Sequence, residues 1–159
     1  MLPSSRRFVC IGLVALLWGL LLPAAVLARD PSPRLILDTG KPFQAFIEDL
    51  LAAIRKHKMG LVCRANAQAG AASRGVRIAG NQVFMLYRPD FAIRTLAADV
   101  EAGFEAPLRI YVVEKADGTA RVSYIKPSDV FAGYHNPQLD AMARELDAIF
   151  AAIVHDAAQ

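Results

Sequence analysis

Leu108–Glu114 and Ala120–Lys126 are two apolar-rich stretches of strand length, and Asp117-Gly118 stands between them. No other feature of the chain limits its fold so tightly. Asp-Gly is a favoured centre for a two-residue hairpin turn, in which both central residues take positive φ. The pair therefore predicts an antiparallel hairpin. With a two-residue turn, Glu114 pairs with Arg121, Val113 with Val122, Val112 with Ser123, Tyr111 with Tyr124 and Ile110 with Ile125. In that register Tyr111, Val113, Val122 and Tyr124 share one face, and Ile110, Val112 and Ile125 share the other. Both faces are apolar, so both need cover.

The rest of the chain supplies elements around this hairpin. Arg34–Asp38 reads as a short strand bounded by Pro33 and Gly40. Pro42 suits the first position of a helix. Phe43, Phe46, Ile47, Leu50, Leu51 and Ile54 then recur at helical spacing, with Arg55, Lys56, His57 and Lys58 in the last turn and Gly60 as the stop. Leu61–Ala65 is a second strand, Ala67–Ser73 a short helix or turn, and Gln82–Tyr87 a third strand ended by Pro89. Ala92, Ile93, Leu96, Ala97 and Val100 form a short amphipathic stripe. Asn136-Pro137 caps a long closing helix whose one face carries Leu139, Met142, Ala143, Leu146, Ile149, Phe150 and Ile153. Strands outnumber crossover helices, so the expectation is a single α+β domain with a mainly antiparallel sheet packed by two long helices. Those helices cover one sheet face. The other falls to the short inserted helices, a partner subunit or a ligand.

The first residues carry an address. Arg6 and Arg7 precede an uncharged, mostly apolar run from residue 8 to 28 that closes on Val26-Leu27-Ala28. This is the pattern of an export signal cleaved after Ala28, which makes the remainder, residues 29–159, an exported, periplasmic domain by expectation. The run is also just long enough to span a bilayer, so an uncleaved inner-membrane anchor at residues 8–28 is the alternative. Pro23 favours cleavage. Losing Arg6 and Arg7 takes two of the 18 basic residues and leaves the rest nearly balanced by 15 acidic ones. That balance argues against nucleic acid as a partner. Cys10 departs with the signal. Cys63 then stands alone and forms no internal disulfide.

Several segments resemble the bacterial family called domain of unknown function 302. Phe46–Gly60 looks like its first helix, ending in glycine before a strand. Phe84-Met85-Leu86-Tyr87-Arg88-Pro89 stands where the family has a hydrophobic strand and a Gly-Asn-Pro turn. Ala106–Glu114 with Asp117-Gly118 looks like its Leu-Pro-Leu-Arg strand and Asp-Gly hairpin, and Val122-Ser123-Tyr124 with Pro127 like its closing strand and turn. The resemblance covers residues 34–153. It implies a β-α-β(4)-α layout of the TATA-binding-protein-like type, here with short helical insertions. It also implies a homodimer and no established activity. Two departures matter. Tyr87-Arg88 replaces Gly-Asn, and Ala65-Asn66 stands where many members carry Asp-His, so chemistry through that histidine does not operate here.

Catalytic chemistry finds little purchase. His57, His135 and His155 lack metal-type spacing, and no metal or other cofactor is expected. His57 and His155 read as solvated residues at helix ends; His135 lies in a loop. Cys63 reads as a buried structural thiol, sharing a strand face with Leu61 and Ala65. Asp38, Glu48 and Asp49 read as solvated surface. Arg88 and Asp90, flanking Pro89 after Tyr87, make the best loop candidate for function, with a structural ion pair as the blander reading. Tyr111 and Tyr124 are candidates to line a pocket or an interface, or simply to pack as a cross-strand pair. Phosphate loops, nucleophile elbows, paired CxxC motifs and haem-attachment sequences are absent. Two readings remain. One is a non-enzymatic dimeric module that binds a protein partner or small ligand on its sheet. The other is a small periplasmic enzyme or redox protein using Cys63 or the Arg88-Pro89-Asp90 loop.

Overall fold

Residues 33–159 are described by the structure, a computed structural model. The expected export segment and its cleavage point lie outside the described residues. The elements run β1 (Arg34–Pro42), α1 (Phe43–Lys56), β2 (Gly60–Asn66), α2 (Ala67–Ala72), β3 (Asn81–Tyr87), α3 (Pro89–Ala98), β4 (Leu108–Glu114), β5 (Thr119–Ile125), α4 (Pro127–Phe131) and α5 (Pro137–Ala158). Single 3₁₀ turns at Glu101–Glu105 and Ala132–Tyr134 complete the order. The five strands form one sheet in the order β1-β5-β4-β3-β2, every pair antiparallel. The α+β class and the single domain are as expected.

The two long helices lie on one sheet face because each carries one apolar stripe. Phe43, Phe46, Ile47, Leu50, Ala53 and Ile54 of α1 are buried, as are Leu139, Met142, Ala143, Leu146, Phe150 and Ile153 of α5. They meet Phe84, Leu86, Ile110, Val112, Ala120, Val122 and Tyr124 of the sheet in one core. Each such large side chain contributes about 1.5–3 kcal/mol by leaving water, so truncating a fully buried one such as Leu50 costs about 2–5 kcal/mol. Asn136 starts α5 by accepting hydrogen bonds from the Gln138 and Leu139 amides, with Pro137 in the first turn. The helix outlasts the expected stripe and buries Val154 and Ala157 as well.

The ends of α1 differ from expectation. Pro42 ends β1 and caps the helix rather than opening its first turn. At the other end Lys58, not Gly60, takes the left-handed conformation, with φ 57°. The Met59 amide reaches back to the Ile54 carbonyl and the Lys58 amide to that of Arg55, both at 3.0 Å, which satisfies carbonyls left over at the helix end. Gly60 serves β2 instead. A Cβ there would stand 2.9 Å from the Tyr87 carbonyl oxygen on the paired strand.

The hairpin register is one residue away from the expected one. Glu114 pairs with Ala120, Val113 with Arg121, Val112 with Val122 and Tyr111 with Ser123. The cause is the turn. The Gly118 amide donates to the Lys115 carbonyl at 2.9 Å, and the Lys115 amide to the Thr119 carbonyl at 2.8 Å. Gly118 alone has positive φ, 78°, while the Asp117 carboxylate accepts from the Thr119 amide. This is the longer loop with a left-handed glycine, not the two-residue turn. Because side chains alternate, a one-residue slip moves them to opposite faces. Tyr124 therefore joins Ile110, Val112 and Val122 under the helices, while Tyr111 and Val113 turn to the other side with Ser123 and Ile125.

The short helices do not cover that other side. α3 packs in the helix layer: it buries Phe91 and Thr95, the Thr95 hydroxyl lies 3.2 Å from the Met142 sulfur, and Arg94 grips Glu145 of α5 through two hydrogen bonds. Its expected apolar stripe, Ile93, Leu96 and Val100, faces solvent instead, beside an exposed Phe104. α2 buries none of its residues. Among the described residues, one sheet face is left without a helix on it.

The open sheet face as candidate functional site

Strand pairing arranges the uncovered side chains in rows across the sheet. One row holds Arg34 of β1, Ile125 of β5, Arg109 of β4, Met85 of β3 and Cys63 of β2; the next holds Ile36, Ser123, Tyr111, Val83 and Ala65. A third begins with Asp38, Arg121, Val113 and Asn81. The middle of this face is apolar and half-buried, and two pairs of polar side chains on it tie to one another. Arg121 donates to Asp38 through Nε at 2.5 Å and Nη2 at 2.9 Å. Asn81 donates to the Tyr111 hydroxyl. The Arg121 contact holds the Asp38 carboxyl below its ordinary pKa, so Asp38 is a paired group rather than the solvated one expected.

Where the first two rows meet, the face dips into a depression of about 380 Å³ lined by Val83, Tyr111, Ser123, Ile125, Arg34 and Arg109. Its volume lies in the range of small-molecule sites, about 300–1,000 Å³. Tyr111, a residue singled out by sequence, is in its floor. Tyr124 contributes from the far side of the sheet. Its side chain is 8% exposed and packs on Phe150, ring centroids 5.7 Å apart, and burial raises its hydroxyl pKa. Ser123, Ile125 and the Arg34 paired with it join the face of Tyr111 only with the observed register, whereas Arg109 shares that face by strand alternation and Val83 by its pairing with Tyr111. A signal for that register exists in the chain: Ala120, Val122 and Tyr124 alternate with Arg121 and Ser123, as Ile110 and Val112 alternate with Arg109 and Tyr111. Matching apolar to apolar selects the observed pairing over the turn-based one.

The loop after β3 is built differently. Arg88 Nε and Nη2 donate to Asp90 at 2.8 and 3.0 Å, and the guanidinium lies 4.2 Å over the Phe91 ring. The pairing lowers the Asp90 pKa. Behind it, Arg88, Phe91, Thr95 and Leu146 border a space of only about 30 Å³, about enough for one water. Tyr87, at the strand end, is half-exposed beside it. The structural ion pair is thus formed, and the loop is separate from the open-face depression.

Three further expectations change. Cys63 is exposed, not buried. A bulge between Leu61 and Cys63 breaks the alternation: Leu61 pairs with Leu86 on the helix side, while Cys63 pairs with Met85 on the open side. His57 is not a free surface residue, because its Nε2 lies 2.7 Å from Asp156 Oδ2. Asp49, expected as solvated, pairs with Lys41. His135 and His155 are exposed, His135 with φ 50°. Among the described residues no cluster of three or more His, Cys, Asp or Glu has metal-binding geometry, and no helix is long and apolar enough to cross a membrane.

Comparison with known proteins agrees with this architecture. The family model described as "Domain of unknown function DUF302" matches residues 36–157. A solved structure described as an uncharacterized conserved protein DUF302 from Bacillus stearothermophilus superposes with TM-score 0.69 at 18% identity, over 77% of this chain and 96% of that one. At that identity the likeness shows the fold alone. A search among curated proteins finds no match.

Proposed function

Since this chain belongs to the family of domain of unknown function DUF302, we propose from its own surface that it is an exported, non-enzymatic binding module that works as a homodimer. The observation that carries this reading is the open face of the sheet, apolar at its centre and holding a ligand-sized depression. Soluble domains seldom leave such a face without use. Export is supported by Arg6, Arg7 and the apolar run to Ala28. Dimerisation is supported by β1. It is an edge strand of nine residues, and Leu35, Ile36 and Leu37 are all exposed. Edges of this length and apolarity are normally blunted or paired. Leu35, Leu37 and Val154 also line a groove of about 520 Å³ between β1 and α5, where side chains of a paired strand would lodge. Pairing at that edge leaves the open face accessible.

The reading is tested by what the protein carries. The chain is purified from its exported fraction, denatured, and its released small molecules are weighed by mass spectrometry. One compound near one per chain, lost in Tyr111→Ala, is the expected result. The alternative, a small enzyme or redox protein, draws on the exposed Cys63. It gains if nothing is released and Cys63 cycles through a defined oxidised form during turnover.

A further inference from the structure

The two arginines of the depression lack the carboxylate partners that several other arginines have. Asp38 satisfies Arg121, Asp90 satisfies Arg88 and Glu145 satisfies Arg94. Arg34 and Arg109 have no carboxylate within 4 Å among the described residues. Glu105 lines a cleft next to Arg109, but it accepts from the Tyr134 hydroxyl at 3.1 Å and forms no ion pair with the arginine. Arg34 and Arg109 belong to one row and flank Ile125. Neighbouring strands are about 4.8 Å apart, which puts their Cα atoms about 10 Å from each other, one on each side of the dip.

Ile125 of β5 lies between them, and Val83, Tyr111 and Ser123 of the next row complete the lining of the depression. A pleated sheet is a flat support, so an occupant lies flat on it. Its apolar body is favoured by leaving water, and its anionic group is favoured where either guanidinium can form a two-pronged hydrogen bond with it. Low local polarity beneath the site strengthens that charge-assisted contact. Resting on the reading of the open face as a binding surface, we propose that the depression takes a small organic carboxylate with a flat apolar body, its carboxylate held by Arg109 and Arg34.

The test uses the purified full chain labelled with ¹⁵N, titrated with sodium 2-naphthoate and, separately, with the uncharged 2-naphthalenemethanol. The expected result is saturable movement of the Val83, Tyr111, Ser123 and Ile125 amide signals by naphthoate, with the alcohol weaker by about tenfold or more. Arg109→Gln and Arg34→Gln each weaken naphthoate by about tenfold and leave the alcohol unchanged. Preserved signal dispersion in the variants establishes that they fold. Equal affinity for the two compounds, or indifference to both substitutions, overturns carboxylate recognition while leaving the face a binding surface. No movement on the open face from either compound overturns the inference. Joined to the absence of any copurifying compound, it overturns the underlying reading as well.

Discussion

His57 Nε2 lies 2.7 Å from Asp156 Oδ2, and this contact ties the end of α1 to the end of α5. Lys56 joins the same carboxylate at 2.8 Å. The Lys56 hydrogen bond, then that of His57, holds the Asp156 carboxyl below its ordinary pKa. A carboxyl depressed in the folded state gives stability that is present above its unfolded pKa and lost as pH falls through the folded one. Melting temperature should therefore fall as pH drops below about 4. Asp156→Asn should lower it at pH 7 and converge with the parent at pH 2, as followed by circular dichroism melts. A constant offset across that range would show that the contact is not what titrates.

The hairpin register makes a second expectation measurable. Tyr124 is buried against Phe150, whereas Tyr111 is half-buried on the open face. Tyr124→Ala should cost about 3–5 kcal/mol, as for other large aromatic truncations in cores. Tyr111→Ala should cost about 1 kcal/mol, since less area leaves contact. Urea unfolding of the two variants decides it. Equal losses would restore the register in which both tyrosines share a face.

Helical spacing made α1 and α5 legible because each has a single stripe and a single core to meet. The same spacing misleads in α3. Ile93, Leu96 and Val100 recur correctly, yet Phe91 and Thr95 are the residues that dock. Periodicity marks an apolar face without saying what it meets. In the hairpin two local signals conflict. Asp117-Gly118 suggests the shortest turn, while the alternation of Val122 and Tyr124 with Arg121 and Ser123 demands the register one residue away. Burial of a whole face outweighs the preference of one turn. Arg34 and Arg109 gain meaning only from that outcome, because they come together through strand order rather than through sequence spacing.

Cys63 provides a third check. Its exposure follows from the bulge before it and from its place on the edge strand β2. Ellman's reagent should titrate one thiol per chain from residue 29 onward in the native state at pH 8, without denaturant. A thiol released only on unfolding would return it to the interior and remove the bulge from the account.

The last expectation concerns the β1 edge. Ile36 is 57% exposed at the centre of three consecutive apolar residues, and the outer backbone groups of β1 have no strand beside them among the described residues. A second β1 placed antiparallel would pair those groups. It would also bring its own Leu35 and Leu37 to the groove beside Val154. An inward-facing or central charge on an edge strand is the device that natural sheets use to prevent such pairing. Ile36→Lys should therefore give a folded monomer, while the parent sediments as a dimer at about 100 μM, where an ordinary specific interface is saturated. Arg109→Gln, remote from that edge across β5, should stay dimeric. A parent that sediments as a monomer at this concentration would sink the edge pairing, and a dimer broken by Arg109→Gln but not by Ile36→Lys would move the interface to the open face.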